Sequence, residues 1–107
     1  MEELRQMIDD VDGLMIELLV IRNRVVGQIA LFKKENHKPV RDPEREEEKI
    51  IRLSQQADKK GLNPDLVTRI FHLIMEESSN RQENIMERSE KKADRYHGGG
   101  CWYAQHS

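Results

Sequence analysis

Residues 4–35 read LRQMIDDVDGLMIELLVIRNRVVGQIALFKKE, with apolar side chains at Leu4, Met7, Ile8, Val11, Leu14, Met15, Leu18, Leu19, Val25, Val26, Ile29 and Phe32. That three-and-four spacing is the signature of one amphipathic helix. No proline interrupts it. Gly13 and Gly27 each cost such a helix about 1 kcal/mol relative to alanine and read as tolerated or close-packing positions, not as breaks. At 1.5 Å per residue the helix is about 48 Å long, whereas a compact domain of this chain length is roughly 34 Å across. It therefore overhangs its own domain. Two shorter helices cannot cover so long a stripe, which predicts that a second copy of the chain packs along it.

Downstream, Asn36 suits a helix end and the residue before Pro39 is disfavoured in the α region, so NHKPV (36–40) is a loop. Asp42 is a hydrogen-bonding cap and Pro43 fits the first position of a second helix, whose apolar side is Ile50, Ile51, Leu53 and Ala57. Gly61 closes it in the left-handed conformation. Asn63 and Pro64 open a third helix carrying Leu66, Val67, Ile70, Phe71, Ile74, Ile85 and Met86, and its periodicity fails near Ser89. The expectation is an all-α fold of three helices, one long and two shorter, assembled as an intertwined helical homodimer. Residues 1–88 form the domain. Residues 89–107, with the glycine run 98–100, read as a flexible tail in which Cys101 is an exposed thiol and Trp102 and Tyr103 are untethered.

Charged residues are 36% of the 107 and the net charge is −2. No basic excess points to nucleic acid or an anionic membrane, and no apolar run approaches the roughly 18 residues needed to span a bilayer. A single cysteine excludes an internal disulfide and fits a reducing compartment, so the expected location is the cytoplasm. His37 and His72 lack partners at ligand spacing. With no GxSxG, CxxC or glycine-rich phosphate loop either, neither metal nor cofactor is expected.

The informative residues are polar ones in apolar seats. Arg22 and Lys33 continue the first helix's stripe, three turns and about 16 Å apart. Glu46 precedes Ile50 by four, Asp42 precedes Glu46 by four, and Arg45 follows Asp42 by three, so the second helix's apolar face begins with carboxylates. Ser78 and Gln82 interrupt the third stripe between Ile74 and Ile85. Each has an ordinary explanation: a cap for Asp42, snorkelling for Arg22 or Lys33, a back-bond to a carbonyl for Ser78, a surface position for Gln82. Together they place cations, an amide, a hydroxyl and carboxylates on inward faces, where burial without partners is costly. That set suits a small, multiply charged anion bearing a hydroxyl.

From residue 4 to residue 86 the chain resembles the all-α chorismate mutases of the shikimate pathway, through LRQMIDDVDGLMIELLVIRNRVVGQIALFKK, PVRDPERE and LIMEESSNRQ in the family's order and spacing. The resemblance implies three helices per chain, with the long first helices of two subunits packed together. It implies a cofactor-free rearrangement of chorismate to prephenate. Arg5 would reach across the dimer to a substrate carboxylate, Arg22 would hold a carboxylate with help from Ser78, and Lys33 and Gln82 would donate to the ether oxygen. Glu46 and the backbone near Asp42 would take the ring hydroxyl, and Arg45 would organise those carboxylates. Ile21 departs from the family's more usual polar residue. An isochorismate pyruvate lyase of the same fold is the nearest alternative, but generally lacks the acidic pair at 42 and 46. A non-catalytic helical dimerisation module is the alternative of a different kind.

Overall fold

A computed structural model describes the backbone of residues 1–95 and the side-chain surroundings of residues 1–88. The expectations for Cys101, Trp102 and Tyr103, and for the glycine run, lie outside the described residues. Among the described residues the chain is three helices: α1 (Glu2–Glu35), α2 (Pro43–Lys59) and α3 (Pro64–Arg95). α3 is 32 residues long against 34 for α1, so only α2 is short. The apolar periodicity that located the end of α3 near Ser89 stops before the helix does. Residues 90–95, EKKADR, are mostly strong helix formers, so the helical backbone continues where the apolar pattern of the sequence has ended.

Local chemistry explains each boundary. Asp42 caps α2, its carboxylate accepting from the Arg45 backbone N–H at 3.2 Å, with Pro43 in the first turn. Asn63 does the same for α3 through the Asp65 N–H at 2.9 Å. At the end of α2, Leu62 N–H reaches the Ala57 carbonyl at 2.9 Å and Gly61 N–H the Asp58 carbonyl at 3.1 Å, with Gly61 at φ 79°. That is a Schellman ending, in which a residue without Cβ is favoured. The end of α1 uses the same pair of bonds, Lys38 N–H to the Lys33 carbonyl and His37 N–H to the Lys34 carbonyl. Here the left-handed residue is His37, at φ 52°, while Asn36 donates its side-chain amide back to the Phe32 carbonyl at 2.8 Å. The turn folds the loop back over the last turn of α1.

α3 packs against both α1 and α2. The buried apolar side chains are few and mostly modest in size: Val26, Ala30, Ala57, Met75 and Ile85. Gly27 marks the close approach of α1 to α3, since a Cβ there would stand 3.7 Å from Ile85 Cδ1, whereas nothing lies within 4 Å at Gly13. The buried residues of α1, Val26 and Ala30, lie in its C-terminal half. Every residue from 1 to 21 is exposed, and Leu4, Met7, Val11, Leu14 and Leu18 keep 51% to 65% of their surface in water. The extents of 55 × 36 × 14 Å and radius of gyration of 17.5 Å exceed the roughly 13 Å of a compact chain this long. No helix among the described residues is long and apolar enough to cross a membrane.

The two left-handed turns predict opposite responses. Gly61→Ala places a Cβ in open space but at positive φ, and should cost about 1 kcal/mol; His37→Gly should raise stability. Urea melts of the two variants against the parent check both signs.

Candidate active site

The three helices enclose an open-mouthed cavity of about 510 Å³. α1 lines it with Arg22, Val26, Ile29 and Lys33; α3 contributes Met75, Ser78, Ser79 and Gln82. The loop before α2 and its first two turns supply Lys38 to Pro43, Arg45, Glu46 and Lys49. Seven of the eight residues singled out from the sequence therefore border one space: Arg22, Lys33, Asp42, Arg45, Glu46, Ser78 and Gln82. Arg5 does not. It lies 17 residues from Arg22, about 25 Å along the helix, exposed and ion-paired with Glu2 at 3.2 Å, a contact of the exposed kind that restrains a side chain little.

Two contacts bind the walls together. Arg22 donates to Ser78 Oγ, whose own hydroxyl donates to the Ile74 carbonyl at 2.8 Å. The back-bond expected of a mid-helix serine is thus present, and the hydroxyl also accepts from a cation on another helix. Lys33 Nζ donates to the Val40 carbonyl at 2.5 Å and to Gln82 Oε1 at 2.9 Å. Gln82 is only 7% exposed, so its amide sits in the cavity wall and not on the surface. With Oε1 taken by the ammonium, the Gln82 NH₂ is left as the outward donor. No acceptor for it exists among the described residues.

Electrostatics divide the cavity into two ends. Burial pushes the Lys33 ammonium below the ordinary lysine range, Asp42 and Glu46 push it back up, and Arg45 pushes it down. Burial likewise lowers Arg22. Lys49 is lowered by burial first and then by Arg22, Arg45 and Arg52. The Lys33 charge is thus answered by carboxylates, while the charges acting on Lys49 are all like charges, Arg22 first among them. Among the described residues the only carboxylates bordering the space are Asp42 and Glu46, against the cations Arg22, Lys33, Lys38, Arg41, Arg45 and Lys49.

Several wall residues escaped the sequence reading. The cation ion-paired with Glu46 is Arg41, at 3.5 Å, while Arg45 reaches Asp42 through its backbone N–H. Arg41 lies in a loop, where periodicity gives no orientation. Ser79 is 5% exposed and its hydroxyl has no partner among the described residues. Lys49 is three residues from Glu46 and four from Leu53, a spacing that does assign it to the inner face of α2.

A sequence model described as chorismate mutase type II matches residues 4–95. The chain is 37% identical over 82 residues to a bifunctional chorismate mutase/prephenate dehydratase of Buchnera aphidicola, covering 77% of this chain and 21% of that protein. The bifunctional chorismate mutase/prephenate dehydratase of Escherichia coli K12 is 31% identical over 84 residues, 78% of this chain and 22% of its own. A chorismate mutase of Methanocaldococcus jannaschii is 26% identical over 90 residues, 84% of this chain and 91% of its own. The chain spans about a fifth of the length of the bifunctional relatives.

The electrostatics carry their own test. In a ¹⁵N-detected titration of lysine side chains, Lys33 and Lys49 should lose their protons at lower pH than the exposed lysines. Glu46→Gln should move Lys33 lower still, because it removes a charge that favours the ammonium; an upward move would contradict the assignment.

Proposed function

The chain belongs to the chorismate mutase type II family, and from that premise we propose that it is an isomerase converting chorismate to prephenate, the step towards phenylalanine and tyrosine, in the cytoplasm. It works as a homodimer whose exposed α1 stripes pack on each other, each cavity being completed by the partner's Arg5. All the groups assigned roles lie within residues 1–88, the unit read as the domain.

One observation carries the reading: Lys33 keeps one unused N–H and Gln82 keeps both amide N–H bonds, and the two side chains, joined to each other, line the same cavity. An ammonium has three N–H bonds. Two are spent on Val40 and Gln82, which leaves the third, with the Gln82 NH₂, free for a ligand in the cavity that both side chains line. The reaction breaks a carbon–oxygen bond while a carbon–carbon bond forms in a single pericyclic step, so no nucleophile or proton transfer is needed. Negative charge grows on the ether oxygen as its bond stretches. Two donors already aimed and held by protein contacts stabilise that oxygen without reorganising.

The rest of the work is positional. The enolpyruvyl side chain has to lie over the ring in a chair-like shape, and anchoring both carboxylates enforces it. Arg22, steadied by Ser78, holds one carboxylate; the partner's Arg5 holds the other. Glu46, oriented by Arg41, accepts from the ring hydroxyl beside the Asp42 backbone, with Arg45 flanking them. The alternative lyase is disfavoured by that acidic pair. The partner's α1 also closes the cavity, which excludes water and strengthens every hydrogen bond inside it.

Purified protein mixed with chorismate should lose the substrate's ultraviolet absorbance and yield prephenate; inertness, or pyruvate release from isochorismate alone, would overturn the assignment. Lys33→Ala should lower kcat about 100- to 1,000-fold and Gln82→Ala by less. Activity should decline as pH rises through the lowered Lys33 pKa, since only the protonated amine donates. Sedimentation should give a dimer. Arg5→Ala and Arg22→Ala, each inactive alone, should on mixing regain about a quarter of parental activity, because half of the dimers are then mixed and each of those has one intact site. No regain would exclude a site built from two chains.

A further inference from the structure

Lys49 is a cation without an answering anion. It lines the cavity from α2 and is half-buried, yet among the described residues it makes no ion pair and no hydrogen bond. The charges acting on it are the guanidiniums of Arg22, Arg45 and Arg52. Lys33 shows the contrast. It too is half-buried in the lining of that cavity, but Asp42 and Glu46 favour its charge, and Val40 and Gln82 accept hydrogen bonds from it. Desolvating an ammonium beside like charges is unfavourable unless something negative enters the space between them. Of the 20 acidic residues in the chain, Asp42 and Glu46 border the cavity; although Glu46 is one turn from Lys49, it pairs with Arg41, and both carboxylates act on Lys33 and not on Lys49.

Arg22 projects from α1 and Lys49 from α2, on walls of one cavity, close enough for the Arg22 charge to register on Lys49. We propose that Lys49 is a substrate-binding residue that grips, together with Arg22, one carboxylate of the dianionic substrate from the opposite wall. This rests on the function proposed above and adds a second cation to a carboxylate otherwise held from α1 and α3. A carboxylate has about four lone-pair sites. It accepts from Arg22 and Lys49 at once, and it relieves the repulsion between them. Because the carboxylate is charged before, during and after the rearrangement, the contact is uniform: it strengthens binding of substrate, transition state and product alike, and shows in KM more than in kcat.

Steady-state kinetics on chorismate, with calorimetric titration of the dicarboxylate prephenate, test this. Lys49→Leu should raise KM about 10-fold or more, leave kcat within about twofold, and weaken prephenate binding by a similar factor. Lys49→Arg should restore most of both. Arg52→Gln, which removes the same charge from an exposed position outside the cavity, should leave KM within about twofold. A Lys49→Leu protein with parental KM and parental prephenate affinity overturns the assignment, as does a fall in kcat with KM unchanged. Circular dichroism melts of the variant separate either result from misfolding, and Lys49→Gln, which keeps a polar stem, replaces it if Leu does not fold. A parent inert to chorismate instead overturns the function itself.

Discussion

An ammonium in the wall of the cavity links all three parts of the fold. Lys33 belongs to the last turn of α1, Val40 to the loop that leads into α2, and Gln82 to α3; two hydrogen bonds from one nitrogen join them. The apolar core cannot fix these parts by itself. Among the described residues its five buried side chains include two alanines, and no large side chain is fully enclosed. Polar contacts between elements therefore decide how the walls stand relative to one another. Arg22 to Ser78 makes a second tie between α1 and α3, and the Arg81 side chain to the Asn23 carbonyl at 3.3 Å a third. The groups that hold the site together are the groups that face its contents. A change at Lys33 consequently removes both a donor and a tie, and these effects have to be separated by comparing melting with turnover.

How far this was legible in the sequence depends on which physical signal each residue carries. The helices were legible because apolar spacing, the Asp42-Pro43 and Asn63-Pro64 starts, and Gly61 act locally. The inward polar seats were legible because Arg22, Lys33, Ser78 and Gln82 interrupt stripes whose phase is fixed by their apolar neighbours. The resemblance then supplied roles, and the structure supplied the placement that brings seven of the eight residues to one cavity. Arg41 was missed because a loop has no phase. The end of α3 was missed because the stripe ends before the helix. His37 as the left-handed residue was missed because Asn36, immediately before it, is the better-known candidate. Lys49 was within reach of the spacing rule, but a lysine beside Ile50 and Ile51 is more readily assigned to the solvated side.

The open shape and the site are one problem. Every residue from 1 to 21 is exposed, and about 30 Å of helix carries its apolar side into water. Short isolated helices are marginal in water, and exposed contiguous apolar surface of this kind marks an interface. The proposed dimer solves the exposure and the missing carboxylate clamp together, because the stripe that needs covering and Arg5 lie on the same projecting segment. Stability and catalysis are then coupled through one interface. Loss of packing along α1 removes a cation from a cavity that the other chain provides.

Charge makes the final step. The chain as a whole is acidic, at −2, which repels a dianion at a distance. Within the cavity six cations face two carboxylates, and the low-dielectric walls formed by Val26, Ile29 and Met75 concentrate that surplus in a small volume. The two carboxylates stand at the Lys33 end, where a hydroxyl has to be recognised and the ammonium has to stay protonated. Neither carboxylate registers on Arg22 or Lys49, whose charges are left uncompensated. An anion entering such a gradient is turned before it is gripped: its carboxylates are drawn towards the uncompensated cations, and its hydroxyl is left to the acidic end. Orientation then follows from where the chain places two carboxylates among six cations, a distribution fixed by the first two turns of α2 and the loop that precedes them.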